Sequence, residues 1–193
     1  MVQHIKPALF MLLFFTGLTG IAYPLLVTVG AQVVFPIQAN GSVVVSHGQQ
    51  LGSELIGQAF TRPDYFWGRP SATLPNAYNA AASGGSNLGP SNPALMARVE
   101  ERIKTLREAD PKNTLPIPVD LVTTSASGLD PHITPAAALF QVNRVASARH
   151  RQLHEVKALV TQCTEARQWG VFGEPRVNVV KLNLALDNRL SCL

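Results

Sequence analysis

Charged side chains are missing from the N-terminal part of this chain. Between Lys6 and Glu54 there is no Asp, Glu, Lys or Arg. A helix formed there has no charged face to turn toward water, which excludes the usual amphipathic surface helix. Cysteine is scarce as well, with Cys163 and Cys192 the only two in 193 residues. So few exclude a disulfide-rich scaffold, and without closely spaced partners they make no metal site. No Gly-Lys-[Ser/Thr] follows a glycine-rich turn, and no Gly-x-Ser-x-Gly occurs, so neither a P-loop nor a nucleophile elbow is present. The formal charge is +4, but its basic residues are interspersed and the densest tract, 144–157, has no interleaved aromatics. No nucleic-acid partner is expected from that pattern.

What is present first is length without charge. Residues 8–35 are apolar on every face, and a bilayer core needs about 20 such residues at ~1.5 Å of helix rise each. A cleaved signal peptide competes for this reading, since Val29-Gly30-Ala31 has the look of a cleavage site, but signal cores run to only about 7–15 residues. The expected organisation is a short N-terminus (1–7), a transmembrane helix (8–35) and one soluble α/β or α+β domain (36–193). Lys6 is the only basic residue near the membrane ends, and the positive-inside rule then puts the N-terminus in the cytoplasm and the domain outside. Thr16 and Gly20 form a small-xxx-small pair that permits close helix approach, and Pro24 removes a backbone donor and favours a kink. Lipid contact and partner contact both suit these positions.

Along the domain, Asn40-Gly41 is a turn signal before the β-rich run 42–45. The stretch 51–60 suits a strand or a short helix. Residues 62–88 are rich in Gly, Pro, Ser and Asn, yet Tyr65, Phe66, Trp67 and Tyr78 argue for burial rather than disorder. Asn92-Pro93 pairs a capping side chain with proline at the first helical position, predicting a helix that ends at Asp110-Pro111. Residues 118–123 suggest a short strand. Thr134-Pro135 repeats the cap and opens a helical region toward Trp169-Gly170, and 176–184 reads as a strand whose parity shift at Val179-Val180 suggests a bulge. Cys163 and Cys192 are either free thiols or, in a domain outside the cytoplasm, a bridge tying down the C-terminus.

Candidate chemistry is thin. Gly84-Gly85-Ser86-Asn87 ahead of a helix invites an anion-cradle reading, but a structural loop is the simpler one. Ser125, Ser127, Asp130 and His132 hold the residue types of a hydrolase triad without its spacing. His4, His47, His150 and His154 offer only one (i, i+4) pair and no metal site. No catalytic residue and no metal ligand is assigned.

Five ordered tracts carry more information: Gly-Ser-Glu-Leu-Ile-Gly-Gln (52–58), Phe-Trp-Gly-Arg-Pro-Ser-Ala (66–72), Ser-Gly-Gly-Ser-Asn-Leu-Gly-Pro-Ser-Asn-Pro (83–93), Val-Asp-Leu-Val-Thr-Thr-Ser-Ala-Ser-Gly-Leu-Asp-Pro-His-Ile (119–133) and Gly-Glu-Pro-Arg-Val-Asn-Val (173–179). With them the chain resembles, from its anchor to Asp187, the C subunits of bacterial Kdp potassium-transporting ATPases. The resemblance implies a non-catalytic accessory subunit, needed for assembly of an ATP-driven potassium importer in the cytoplasmic (inner) membrane. Its implied partners are a potassium-binding channel-like subunit, a P-type ATPase subunit and a small single-helix subunit. The Asp-Lys-Thr-Gly-Thr sequence phosphorylated in P-type ATPases is absent, so ATP hydrolysis is expected on another subunit. The resemblance also implies a catalytic-chaperone role that raises the ATPase subunit's affinity for ATP, with Gln141, ahead of Arg144-Val145-Ala146, as the nucleotide candidate. A domain outside the membrane does not meet cytoplasmic ATP, so the alternative expectation is an external cap shaping potassium access without nucleotide contact. No firmly held cofactor is expected. The interface candidates are Thr16, Gly20 and Pro24 in the anchor, and Tyr65, Phe66, Trp67, Arg69, Gly84, Gly85, Ser86 and Asn87 in the domain.

Overall fold

The computed structural model describes residues 2–46 and 48–192, so His47 lies outside the described residues. The chain forms two compact units, Met1–Val43 and Val44–Leu193. The first is dominated by one long apolar helix, α1 (Ile5–Val34), none of whose residues is buried. Its middle, Leu18–Ala22, widens into a π-helical turn immediately before Pro24. Pro24 has no N–H, and its ring crowds the carbonyl four residues back, at Gly20. The wide turn spreads the hydrogen-bond ladder at that point, which is the local disruption the proline predicts. Thr19 Oγ1 recovers a carbonyl by donating to Phe15 O at 2.7 Å. A Cβ at Gly20 would meet only Thr16 Cγ2, at 4.0 Å, so the small-residue face is open.

The second unit begins with a hairpin of β1 (Val43–Ser46) and β2 (Gln49–Ser53). Residues 51–60 therefore open as strand and continue as bend and loop. Helix α2 (Pro93–Ala109) starts where the cap predicts, with Asn92 Oδ1 accepting from Ala94 N at 2.9 Å. Residues 118–123 are not a strand: Val119–Leu121 is a 3-10 turn, closed by Thr123 Oγ1 donating to Val119 O at 2.8 Å. Then come β3 (His132–Ile133), α3 (Pro135–Ala148), α4 (Leu153–Gln162), β4 (Thr164–Glu165), β5 (Arg176–Asn178) and α5 (Val179–Leu186). The expected helical region from Thr134 toward Trp169-Gly170 is thus two helices, interrupted where His150 turns to φ +52°, and it stops at Gln162, with Trp169-Gly170 in a hairpin turn instead.

The strand expected over 176–184 is the largest correction. Only Arg176–Asn178 is strand, paired antiparallel at the centre of the order β3-β5-β4, with His132 opposite Asn178 and Glu165 opposite Arg176. Asn178 Oδ1 then accepts from the amides of Val180 and Lys181 at 3.0 and 3.1 Å, capping α5. The parity shift is a helix start, not a bulge. Val179, Val180, Leu182, Asn183, Ala185 and Leu186 are all buried along it, and this burial overrides the β preference of valine. Helix α3 packs on α4, and α4 on α5. The core gathers Phe66, Leu121, Val145, Val156, Val160, Val177, Leu182 and Leu186.

Cys163, which follows α4, is bonded to Cys192, with Cα atoms 4.9 Å apart across 29 residues. Both cysteines rest on the core, Cys163 buried and Cys192 packed against it. Closing a loop of this size removes disorder from the unfolded chain worth about 2–4 kcal/mol. Cys192→Ser is therefore expected to lower the thermal midpoint of the full chain in detergent, and thiol titration of the unreduced, denatured wild type should find no free thiol. Two reactive thiols in that titration would contradict the bridge.

Candidate functional site

Phe66 and Trp67 cross the core in extended loop, with 0% and 7% of their surface exposed. Loop backbone buried this way has no water to bond, and each N–H or C=O left unpaired costs about 1–3 kcal/mol. Two side-chain amides answer that need. Asn183 of α5 accepts from Phe66 N and donates to Phe66 O, both at 2.9 Å. Gln141 of α3 accepts from Trp67 N at 2.8 Å and donates to Trp67 O at 3.1 Å. Gln141 also donates to Ala137 O at 3.2 Å and accepts from Arg144 at 2.7 Å, so its polar atoms are all engaged at 1% exposure.

Arginines close around the same aromatics. The Arg144 guanidinium lies 4.3 Å from the Trp67 ring centroid and donates to the carbonyls of Pro63 and Tyr65. Burial lowers its pKa to about 10, which still leaves it charged at neutral pH. Arg102 stands 5.5 Å from the same ring and donates to Leu121 O at 3.1 Å. Tyr65 donates to Asp187 Oδ2 at 2.8 Å, and Arg149 pairs with Asp187 Oδ1 at 2.8 Å while lying over the tyrosine ring. Guanidinium stacking with several carbonyl bonds suits arginine's planar fork of donors and not lysine's point charge.

Beyond this clamp the glycine-rich loops lock into each other. Gly84 N donates to Ser127 O at 2.9 Å, and a Cβ at Gly85 would sit 2.8 Å from Ala126 O. Ser86 Oγ accepts from Thr124 Oγ1 at 3.2 Å, and Asn87 takes φ +50°. The Gly84 amide is thus committed to a carbonyl and not turned to an anion. Gly57 and Gly68 make room for the Tyr78 ring, whose hydroxyl donates to Arg69 O at 2.6 Å. Burial pushes the Tyr78 hydroxyl up to about 12. Arg69 reaches across to Thr124 O at 3.0 Å and Asp130 Oδ2 at 3.4 Å. Burial works to raise the Asp130 carboxyl, but hydrogen bonds from His132 and the nearby cations bring it below its ordinary value. Ser125 and Ser127 accept from the amides of Gly128 and Leu129, which makes them turn-formers. The loops leave a cleft of about 400 Å³ lined by Ser71, Thr73, Leu74, Ser86, Arg98 and Thr124.

The interface candidates of the domain therefore separate. Phe66 and Trp67 are core, Tyr65 and Arg69 are half-buried brackets, and 84–87 forms the wall of a rigid loop surface. Thr16, Gly20 and Pro24 belong to α1, in the other unit. Asn183 had no role assigned from the sequence, while Tyr78 stood only as a sign of burial and Arg144 only as part of the tract after Gln141. A signal existed for Asn183 and Gln141: a lone amide among apolar neighbours on a helix is a polar group that needs a buried partner. Among the described residues, no group of His, Cys, Asp or Glu is arranged to hold a metal ion.

Comparison with known proteins places these tracts in a wider set. The family model described as "KdpC: K+-transporting ATPase, c chain" matches residues 5–188. The chain is 63% identical over 187 residues to a protein of Methylococcus capsulatus named potassium-transporting ATPase KdpC subunit, covering 97% of this chain and 98% of that one. A protein of the same name from Dechloromonas aromatica is 60% identical over 184 residues, covering 95% and 96%. Another, from Herpetosiphon aurantiacus, is 63% identical over 182 residues, covering 94% of each.

Gln141→Ala strips partners from both main-chain groups of Trp67 and from Arg144, and should cost about 2–4 kcal/mol in denaturant unfolding. An unchanged midpoint would remove the clamp from the account. Tyr78 gives a pH signature. Its folded pKa of about 12 lies above the ordinary value near 10. The folded state then binds the extra proton, so stability holds below about pH 10 and falls by about 2–3 kcal/mol as pH rises through 12. Tyr65, raised by its hydrogen bond to Asp187, acts in the same direction. Tyr78→Phe should lose stability at neutral pH but flatten that alkaline decline.

Proposed function

This chain belongs to the KdpC family, the C chain of K+-transporting ATPases, and from that membership we propose that it is an anchored accessory subunit whose domain works outside the cytoplasm. Its role on this reading is to assemble with the potassium-binding channel-like subunit, the P-type ATPase subunit and the small single-helix subunit, and to cap the outer approach of potassium. The observation that carries the outer placement is the Cys163–Cys192 bond. Structural disulfides persist in oxidising compartments and are rare in the cytosol. Lys6, ahead of α1, votes for the same orientation in the inner membrane of a bacterium.

The Gln141 geometry supports a cap without nucleotide contact. All of its amide atoms are bonded within the core, so ATP would have to displace the Trp67 backbone to reach it. A chaperone effect on ATP affinity, which the family resemblance implies, then travels through the assembled pump. The rigid loop surface over 69–92, with its cleft, is the part of the domain offered to the channel-like subunit. Its glycines are there to let loops touch, which gives a firm surface with no strand and a single 3-10 turn, Ala80–Ala82.

The topology is decided by labelling intact cells. After outside reduction with an impermeant phosphine, an impermeant maleimide is expected to modify Cys192; labelling seen only after permeabilisation would put the domain in the cytoplasm. Deleting residues 44–193 while keeping α1 should abolish high-affinity potassium uptake, measured as growth at micromolar potassium. Undiminished uptake would refute the assembly role.

A further inference from the structure

The hairpin between β4 and β5 ends in Trp169-Gly170-Val171-Phe172, and these side chains face outward: Trp169 is 90% exposed, Val171 71% and Phe172 59%. The hairpin is well ordered by its own bonds. Gln168 and Phe172 exchange both main-chain hydrogen bonds at 2.9 Å, and Val171 N closes a turn onto Gln168 O at 3.1 Å. The central residues of that turn, Trp169 and Gly170, take φ +52° and +76°. Turns with two left-handed positions favour Asn, Asp or Gly, so a tryptophan at the first of them is held against its backbone preference. Nothing within the domain repays it, because Trp169 touches Phe172 edge-on, 5.9 Å between centroids, and little else. Strain of this kind collects at working sites.

Behind the tip the charges are cancelled in pairs. Arg167 grips both oxygens of Glu174 at 2.6 and 2.7 Å, and Arg176 meets Glu165 at 2.9 Å. An apolar tip of aromatics with a rim of neutralised charge is the anatomy of an interface hot spot: the centre desolvates at no cost in buried charge and the rim excludes water. The three side chains form a protruding knob, too small to be a whole interface, so it calls for a socket.

We propose that this knob docks into an apolar pocket on another subunit of the potassium pump, a pocket lined by aliphatic side chains with one acceptor for the Trp169 indole N–H. The proposal rests on the accessory-subunit reading for the existence of the partner, and it names a docking element apart from the glycine-rich surface. A bilayer is the competing home for an exposed tryptophan in a membrane-anchored chain; the paired, neutralised rim favours the protein, since a lipid-seeking tip gains from unpaired basic residues.

The test places benzoylphenylalanine at position 169 in the full chain, within the assembled pump in cells, and maps the photoproduct. A crosslink to a loop of another pump subunit on the outer side is expected. A lipid adduct, or no adduct in a pump that assembles and transports, overturns the docking and leaves the outer placement standing. A crosslink to a cytoplasmic segment of another subunit keeps the docking and overturns the outer placement. In parallel, the double substitution Trp169→Ala, Phe172→Ala should reduce co-purification of the chain with the pump by at least about tenfold, as removal of hot-spot aromatics does. The thermal midpoint of the chain alone should stay unchanged, because these exposed side chains pack only on each other. Full co-purification by the double variant would also overturn the proposal.

Discussion

The main-chain groups of Phe66 and Trp67 lie where water does not reach, and two amides from different helices carry all four of their hydrogen bonds. That requirement orders the rest of the domain. It brings α3 and α5 to either side of one loop, and it turns Gln141 and Asn183 inward among apolar residues. The carbonyls just upstream, at Pro63 and Tyr65, are then taken by Arg144, whose charge rests on the Trp67 ring. A buried loop is tolerated only when every polar group is answered, and a network that meets that condition holds the loop in one conformation.

From this fixed point the loop surface follows. Beyond Trp67 the chain has few regular elements until α2, yet it is held by close backbone approach. Gly85 lies against Ala126, Gly128 takes φ +67° with Gly84 O where a Cβ would stand, and Tyr78 fills the space beside Gly57 and Gly68. The glycines therefore serve contact between loops, and the hydroxyls of Ser71 and Thr73 accept from the amides of Tyr78 and Asn79. Such a surface keeps its shape without a sheet beneath it, which suits the assembly role proposed for this domain. The disulfide ties Cys192 to the same core, beside the end of α4.

The domain thus presents two different kinds of surface. One is built of glycine-rich loops bonded to each other. The other is a small apolar knob whose backbone is bonded within its own hairpin and whose side chains are left exposed. On the proposed reading the two are complementary, a broad face for register and a few anchors for affinity, because binding energy concentrates in a few desolvated aromatics.

The sequence by itself determined the long apolar helix, since an uncharged run of this length has no polar face to turn outward, and it determined the starts of α2 and α3, since a capping side chain before proline acts within a single turn. It also carried the family, through ordered tracts whose spacing no single motif supplies. Tertiary structure decided the rest. The β-rich residues after Asn178 became helix because burial against α4 and the Asn178 cap outweighed valine's local preference. Trp67 moved from candidate surface to core, and Gln141 from candidate ligand contact to backbone clamp, through hydrogen bonds between residues 74 apart. The Asn183 bonds to Phe66 span 117 residues. Local rules reach a few positions along the chain; which polar group must be answered, and by whom, exists only once distant segments have met.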